Sequence, residues 1–226
     1  MLAAGGKVAH WIETGDTGYP GSETGENFER MPVEPDSINL AISLLGLHHV
    51  NDVPGVLVQL RRALKPDGLF LGVVPGQGTL EELKLSLAAA EAEVYGGAGV
   101  RVSPFIDIRD AGALLQRAGF ALPVADIDPV TVRYSDMFAL LRDLRGMGET
   151  SVLIARRRRP DRRQLFIRAA EIYAERFSDP DGRIRATFAF VWLSGWAPHA
   201  SQQKPLKPGS ATFPLADALK APITET

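Results

Sequence analysis

The feature that most constrains the fold is a pair of apolar runs with a helical repeat between them. Residues 38–47 are almost continuously apolar, which predicts a strand buried on both faces, as in a parallel sheet. Apolar residues then recur at helical spacing over 53–64, after an N-cap at Asn51-Asp52. A turn at 66–68, where Gly68 permits a positive φ, precedes a second apolar run at 69–74. Strand, helix and strand in this order predict a right-handed β–α–β unit.

The remaining chain continues the alternation of helices and strands. Helical patterns occupy 79–94, 108–119, 135–144 and 162–177, and strand patterns occupy 121–127, 130–134 and 186–196. Such alternation predicts an α/β fold with a doubly wound, mostly parallel sheet and a late antiparallel strand. Trp192, Trp196 and Phe188 are interpreted as core residues of that last strand.

Three regions of the chain differ in composition. Residues 1–35 are interrupted by glycine and proline and are predicted to be irregular, with one short strand near 8–12. Residues 36–199 are predicted to form the α/β domain. Residues 200–226 are rich in proline, glycine, serine and lysine, and are predicted to form an extended or disordered tail. The basic run at 156–159 is interpreted as a solvated loop rather than a binding patch.

Composition excludes several classes of function. The chain has 226 residues, no cysteine and a formal net charge of −2. Without cysteine there are no disulfides, thiolate nucleophiles or cysteine-ligated metals. The balanced charge gives no basic field, so nucleic acid is not an expected partner. No apolar run reaches the roughly 20 residues of a membrane span, and the first residues do not resemble a secretory signal.

The predicted sheet indicates where a ligand would bind. In doubly wound sheets the ligand lies beyond the C-terminal ends of the strands, which selects residues 45–51 and 75–79. His48 and His49 directly follow the first strand, and a neutral imidazole there could act as a general base. The alternative is that one histidine packs and the other is solvated, because neighbouring side chains of an extended segment point in opposite directions. Residues 76–79 could bind an anion at a helix N-terminus, or form an ordinary turn with Thr79 as N-cap.

Several sequence blocks together resemble the complex I assembly factor 5 family, whose wider relatives include the carrier-protein methyltransferase of biotin synthesis. The resemblance runs from about residue 29 to the C-terminus. The Leu-Lys-Pro-Asp-Gly block is generic to class I methyltransferases, and the later blocks are more specific. The blocks are Ser43-Leu44-Leu45-Gly46-Leu47-His48-His49-Val50-Asn51-Asp52-Val53-Pro54, Leu64-Lys65-Pro66-Asp67-Gly68, Gly78-Thr79-Leu80-Glu81-Glu82-Leu83-Lys84, Ser103-Pro104-Phe105, Leu115-Gln116-Arg117-Ala118-Gly119-Phe120, Met147-Gly148-Glu149, Gly195-Trp196-Ala197-Pro198-His199 and Gly209-Ser210-Ala211.

The resemblance implies a Rossmann-like methyltransferase fold, S-adenosylmethionine as cofactor, and a protein substrate or assembly partner. It implies a location in the bacterial cytoplasm or on the mitochondrial matrix side. The catalytic residues it implies are His48 and His49, and the cofactor-binding residues are Glu29, Leu45, Gly46, Leu47 and His48.

This sequence also departs from the family pattern. The usual first strand and glycine-rich loop are not found. The acidic residue expected before Glu29 is Asn27, and the family's tryptophan is His49. The family's glycine pair is Gln77-Gly78, and the arginine of the following helix is Lys84.

Three functions follow from these observations. The first is methyl transfer from S-adenosylmethionine to a protein or a small acceptor. The second, motivated by the missing glycine loop, is a non-catalytic assembly or binding role for respiratory complex I. The third is hydroxylation of a protein arginine, which the resemblance implies for some members. A non-haem iron site typically uses two histidines and a carboxylate. Because His48 and His49 are expected to diverge, the sequence predicts no metal site.

Overall fold

The computed structural model describes residues 30–150 and 161–203. The short strand near 8–12, Glu29, the basic run at 156–159 and the tail after residue 203 lie outside the described residues. The described residues form β1 Ile38–Leu44, a 3₁₀ turn Leu47–His49, α1 Val53–Ala63, β2 Leu64–Pro75, α2 Glu81–Tyr95, α3 Ile108–Arg117, β3 Ala121–Tyr134, α4 Met137–Gly146, α5 Arg163–Phe177 and β4 Ile184–Trp196.

The described strands form one sheet in the order β1-β2-β4-β3. β1 pairs with β2 in parallel, and β4 pairs antiparallel with both β2 and β3. Three strands therefore run in one direction and only the last runs against them. The predicted α/β fold, with a late antiparallel strand in a mostly parallel sheet, is confirmed. The last strand lies inside the sheet, between β2 and β3, rather than at its edge.

Helices cover both faces of the sheet, as a doubly wound fold requires. One core lies under α1 and α3, and the other lies under α2, α4 and α5. The first contains Leu57, Leu60, Phe70, Leu115, Phe120 and Val191. The second contains Leu83, Met137, Leu140, Leu165, Ile172, Tyr173 and Ile184.

Local sequence signals set most helix ends. Asp52 caps α1, because its carboxylate accepts a hydrogen bond from the backbone N–H of Gly55 at 2.9 Å. Gly119 follows α3 with a φ of +84°, as its position predicts. The helix predicted from residue 135 begins at Met137, because the carboxylate of Asp136 accepts the hydrogen bond from the N–H of Ala139.

Two predictions about turns are also wrong. The turn at 66–68 is a bulge within β2, and the residue with positive φ is Asp67 at +64° rather than Gly68. Gly68 is needed for space, because a Cβ there would come within 2.9 Å of the carbonyl oxygen of Lys65. Thr79 is not an N-cap. Its hydroxyl bonds to the backbone N–H and C=O of Ala189, which joins the start of α2 to β4.

The first strand is not buried on both faces among the described residues. It lies at the end of the sheet, and Leu40, Ile42 and Leu44 are 46%, 48% and 69% exposed, whereas Ala41 on the other face is buried. Trp192 on β4 is also half exposed, so its assignment to the core is wrong. In both places no helix of the described residues covers the exposed side chains. No helix within the described part of the chain is long and apolar enough to cross a membrane.

Candidate functional site

A cavity of about 460 Å³ opens at the C-terminal ends of β1 and β2. The turn after β1 and Pro75 at the end of β2 form part of its wall, which is where a doubly wound sheet binds its ligand. Most of the other lining residues are apolar. They include Val53, Leu57, Leu80, Leu83, Leu87, Phe105, Ile106, Leu114, Leu141, Leu144 and Phe166, and the polar members are His48, His49, Arg101, Ser103, Arg145, Glu149 and Thr150.

His48 and His49 both face this cavity, which contradicts the expectation that they diverge. The reason is local backbone geometry. They lie on a 3₁₀ turn, in which successive side chains are about 120° apart, rather than on an extended strand. Buried Leu47 anchors the turn, and the two imidazole rings are 3.9 Å apart with an angle of 40° between their planes.

Glu149 completes the cluster from a distant part of the sequence. Its carboxylate Oε1 is 3.0 Å from Nε2 of His48 and 3.4 Å from Nε2 of His49. The end of α4 sets its position. The N–H of Gly148 donates to the carbonyl of Arg145, and the N–H of Glu149 donates to the carbonyl of Leu144. This pair of bonds is a Schellman motif, and it requires the positive φ of +83° at Gly148.

The environment of His48 favours its neutral form. Burial lowers the pKa of His48, the hydrogen bond that Glu149 accepts opposes that shift, and the neighbouring His49 lowers the pKa further. Its side chain is only 15% exposed, and its Nδ1 has no hydrogen-bond partner among the described residues. His48 is therefore a neutral imidazole near neutral pH, able to accept a proton or bind a cation.

A second charged cluster reaches the cavity through Arg101. The guanidinium of Arg101 donates two hydrogen bonds of 2.8 Å to the carboxylate of Asp161 and one of 2.6 Å to Glu91. The side chain of Glu91 is only 5% exposed, and it also accepts a hydrogen bond from the N–H of Gly99. The cluster thereby ties the segment between α2 and α3 to the start of α5.

Only some of the residues predicted to bind the cofactor line the cavity. Leu47 and His48 line the cavity, whereas Leu45 and Gly46 are exposed and do not. Glu29 lies outside the described residues. The backbone N–H groups of Gly76, Gln77 and Thr79 already donate to Ala189, Ile106 and Gly76. The described residues on their own do not complete a site for S-adenosylmethionine.

A methyltransferase-domain family model matches residues 13–123. Over that stretch the chain is similar to the methyltransferase superfamily. It is 42% identical over 192 residues to the arginine-hydroxylase NDUFAF5, mitochondrial, of Danio rerio, and the match covers 85% of this chain and 60% of that protein. The resemblance drawn from the sequence blocks is confirmed.

Two more distant matches also carry methyltransferase names. The chain is 32% identical to the malonyl-[acyl-carrier protein] O-methyltransferase of Laribacter hongkongensis, over 81% of this chain and 59% of that protein. A methyltransferase-type structure from Bacillus halodurans superposes on 76% of this chain and 75% of its own, with 15% identity and a TM-score of 0.46. The chain spans about three fifths of the length of these two curated relatives.

The reading of the sequence missed Glu149 as a site residue. A signal was present, because Met147-Gly148-Glu149 is one of the blocks that carry the family resemblance. Its glycine lies where a helix would end, and a glycine there commonly has a positive φ. What the sequence did not show was that this helix end lies beside the turn after β1, 101 residues earlier.

Proposed function

We propose that this protein hydroxylates an arginine side chain of a protein substrate. The observation that carries the proposal is the 42% identity to an arginine-hydroxylase over 85% of the chain, compared with 32% identity to a carrier-protein methyltransferase over 81%. The protein would act in the bacterial cytoplasm or on the mitochondrial matrix side, as the resemblance implies.

The shape and polarity of the cavity support an arginine substrate. Arginine has an apolar stem and a planar cationic head, and these need an apolar wall and a carboxylate respectively. Leu57, Leu83 and Leu114 contribute to such a wall, and Glu149 lies in the lining with its side chain 38% exposed. A guanidinium donates hydrogen bonds to a carboxylate, and since Oε1 of Glu149 faces the two histidines, Oε2 would fix the orientation of the guanidinium. Arg101 does not compete for Glu149, because Glu91 and Asp161 bind it.

The reaction needs reactants beyond the protein and its substrate. One C–H bond of the arginine side chain is replaced by C–OH. One oxygen atom of O₂ enters the product, and the other leaves as water with two electrons and two protons from a thiol or reduced nicotinamide donor. The contribution of this chain is to bind the guanidinium, exclude water from the apolar part of the cavity, and hold the neutral imidazole of His48 beside it.

Mass spectrometry of peptides tests the proposal. The full chain would be incubated with a library of single-arginine peptides, S-adenosylmethionine, O₂ and a thiol reductant. We expect a gain of one oxygen on arginine, with heavy isotope incorporated from labelled O₂. Glu149→Gln should abolish the gain, since the amide cannot neutralise the guanidinium. Glu175→Gln, a change on a solvent-exposed face of α5, is the matched control and should retain it.

A second candidate function is methyl transfer, which the family model and the carrier-protein relative favour. The same experiment distinguishes the two reactions, because methyl transfer adds one methyl group and needs no O₂. A gain of methyl without oxygen would replace the hydroxylase proposal. If neither product forms with any peptide, the non-catalytic assembly role gains support, and a pull-down of respiratory-complex subunits becomes the next test.

A further inference from the structure

We propose that His48, His49 and Glu149 form a binding site for a divalent transition-metal ion at the rim of the cavity. The potential ligand atoms of these three side chains all lie within 4.8 Å of one another. The metal site does not depend on the proposed function. The family resemblance places tryptophan, not histidine, at position 49, so an activity shared with the family would not need a metal ligand there.

The spacing of the ligand atoms suits a metal ion. Metal–nitrogen and metal–oxygen bonds to these side chains are about 2.0–2.2 Å long, so neighbouring ligand atoms lie about 3.0 Å apart at right angles and about 3.4 Å apart in a tetrahedron. The observed separations from Glu149 Oε1 are 3.0 Å to Nε2 of His48 and 3.4 Å to Nε2 of His49. Binding therefore requires the loss of the Nε2 protons and small shifts of the side chains.

The chemistry of the donors narrows the choice of ion. Two imidazoles and one carboxylate form the ligand set of non-haem Fe(II) sites, and a similar set occurs in catalytic zinc sites. Hard ions such as Mg²⁺ and Ca²⁺ prefer oxygen ligands. Three protein ligands leave coordination positions vacant, and the side chains line the cavity, so an oxygen atom of a bound substrate could occupy one of them.

Two backbone features hold the ligands in place before any ion binds. The 3₁₀ turn presents both imidazoles on one side, and the Schellman motif at the end of α4 holds Glu149 opposite them. Within residues 30–150 and 161–203, no lysine or arginine forms an ion pair with Glu149. Its carboxylate charge is therefore balanced only by the histidines, which are cationic only when protonated, and a divalent cation would supply the missing charge.

Titration with Co²⁺ tests the site, since cobalt absorbs visible light in a way that reports its coordination. The full chain, made without a polyhistidine tag and treated with EDTA, would be titrated by calorimetry and absorbance, then with Zn²⁺ in competition. We expect one ion per chain. His49→Trp and Glu149→Gln should each weaken binding more than tenfold, because each removes a ligand. His199→Asn, which removes a histidine whose side chain bonds to Ser201 and to no other described residue, should bind as the wild type does.

The controls leave each outcome interpretable. His49→Trp introduces the residue that the family resemblance places there, so it is expected to fold, and circular dichroism in EDTA checks each variant. If Glu149→Gln fails to fold, His49→Trp alone decides the question. The proposal is overturned if the wild type binds no Co²⁺, if His49→Trp binds it as tightly, or if His199→Asn weakens binding equally. None of these readouts depends on arginine hydroxylation, so each proposal can fail separately.

Discussion

Two clusters of titratable side chains lie at the same cavity, and they differ in whether a permanently charged cation bonds to their carboxylates. In the first, Arg101 lies between Glu91 and Asp161, and both carboxylates bond to it. In the second, His48 and His49 share the single carboxylate of Glu149. The first cluster joins segments of backbone and has little capacity for a further ligand. The second can still bind a cation, which supports the proposed binding role of Glu149 and the histidines rather than one for Arg101.

The largest expected effect is on stability, from Arg101→Met. Removing one partner of a buried ion pair leaves an uncompensated charge, which typically costs about 3–5 kcal/mol. Both Glu91 and Asp161 would lose their bonds to Arg101, and the effect is expected to be larger at Glu91 because its side chain is only 5% exposed and would keep just the described hydrogen bond from the N–H of Gly99. Urea unfolding followed by circular dichroism would measure the loss.

The control for this prediction is Arg168→Met. Arg168 pairs with Glu93 and Glu171 on the surface, where solvent screens the interaction, so little change is expected. If both variants were equally stable, the cluster at Arg101 would not be the structural element described above.

A smaller effect is expected for Gly148→Ala. A side chain at the positive φ of +83° costs about 1–2 kcal/mol. The strain would also displace Glu149 and weaken Co²⁺ binding. A weaker affinity would show that the backbone at the end of α4 positions this ligand. Gly146→Ala is a matched control two residues away. It lies within α4, and an added Cβ would meet nothing within 4 Å. That variant should be at least as stable as the wild type and should bind Co²⁺ normally.

The smallest effect is a dependence of stability on pH. Burial lowers the pKa of His48 in the folded protein, so below about pH 6.5 the unfolded chain binds a proton that the folded chain still rejects. The free energy of unfolding of the EDTA-treated protein should therefore decrease as the pH falls from about 6.5 through the lowered pKa of His48. In His48→Gln this contribution should be absent, and denaturation series at several pH values would compare the two slopes. Equal slopes would mean that the burial of His48 has no energetic consequence.

The sequence predicted the bounds of the helices and strands better than it predicted which of them pack against one another. The bounds of α1, α2, α3 and α5 follow from apolar periodicity and from caps such as Asp52 and Gly119, which are local signals. Burial of β1 was predicted wrongly, because an apolar run does not show how many helices cover each face. Part of the candidate site could be predicted from the sequence. His48 and His49 could be found from their position after a strand, but their orientation depends on a 3₁₀ turn that their apolar neighbours do not specify. Glu149 required the tertiary fold.

The distance along the chain between His48 and Glu149 has a consequence for folding kinetics. Their hydrogen bond joins groups 101 residues apart. Closing so long a loop is entropically costly, and contacts of high sequence separation tend to form slowly. The pairing of β4 between β2 and β3 and the packing of α4 would have to precede this contact. A spectroscopic probe at the cluster would therefore detect one of the last steps of folding, after most of the secondary structure has formed.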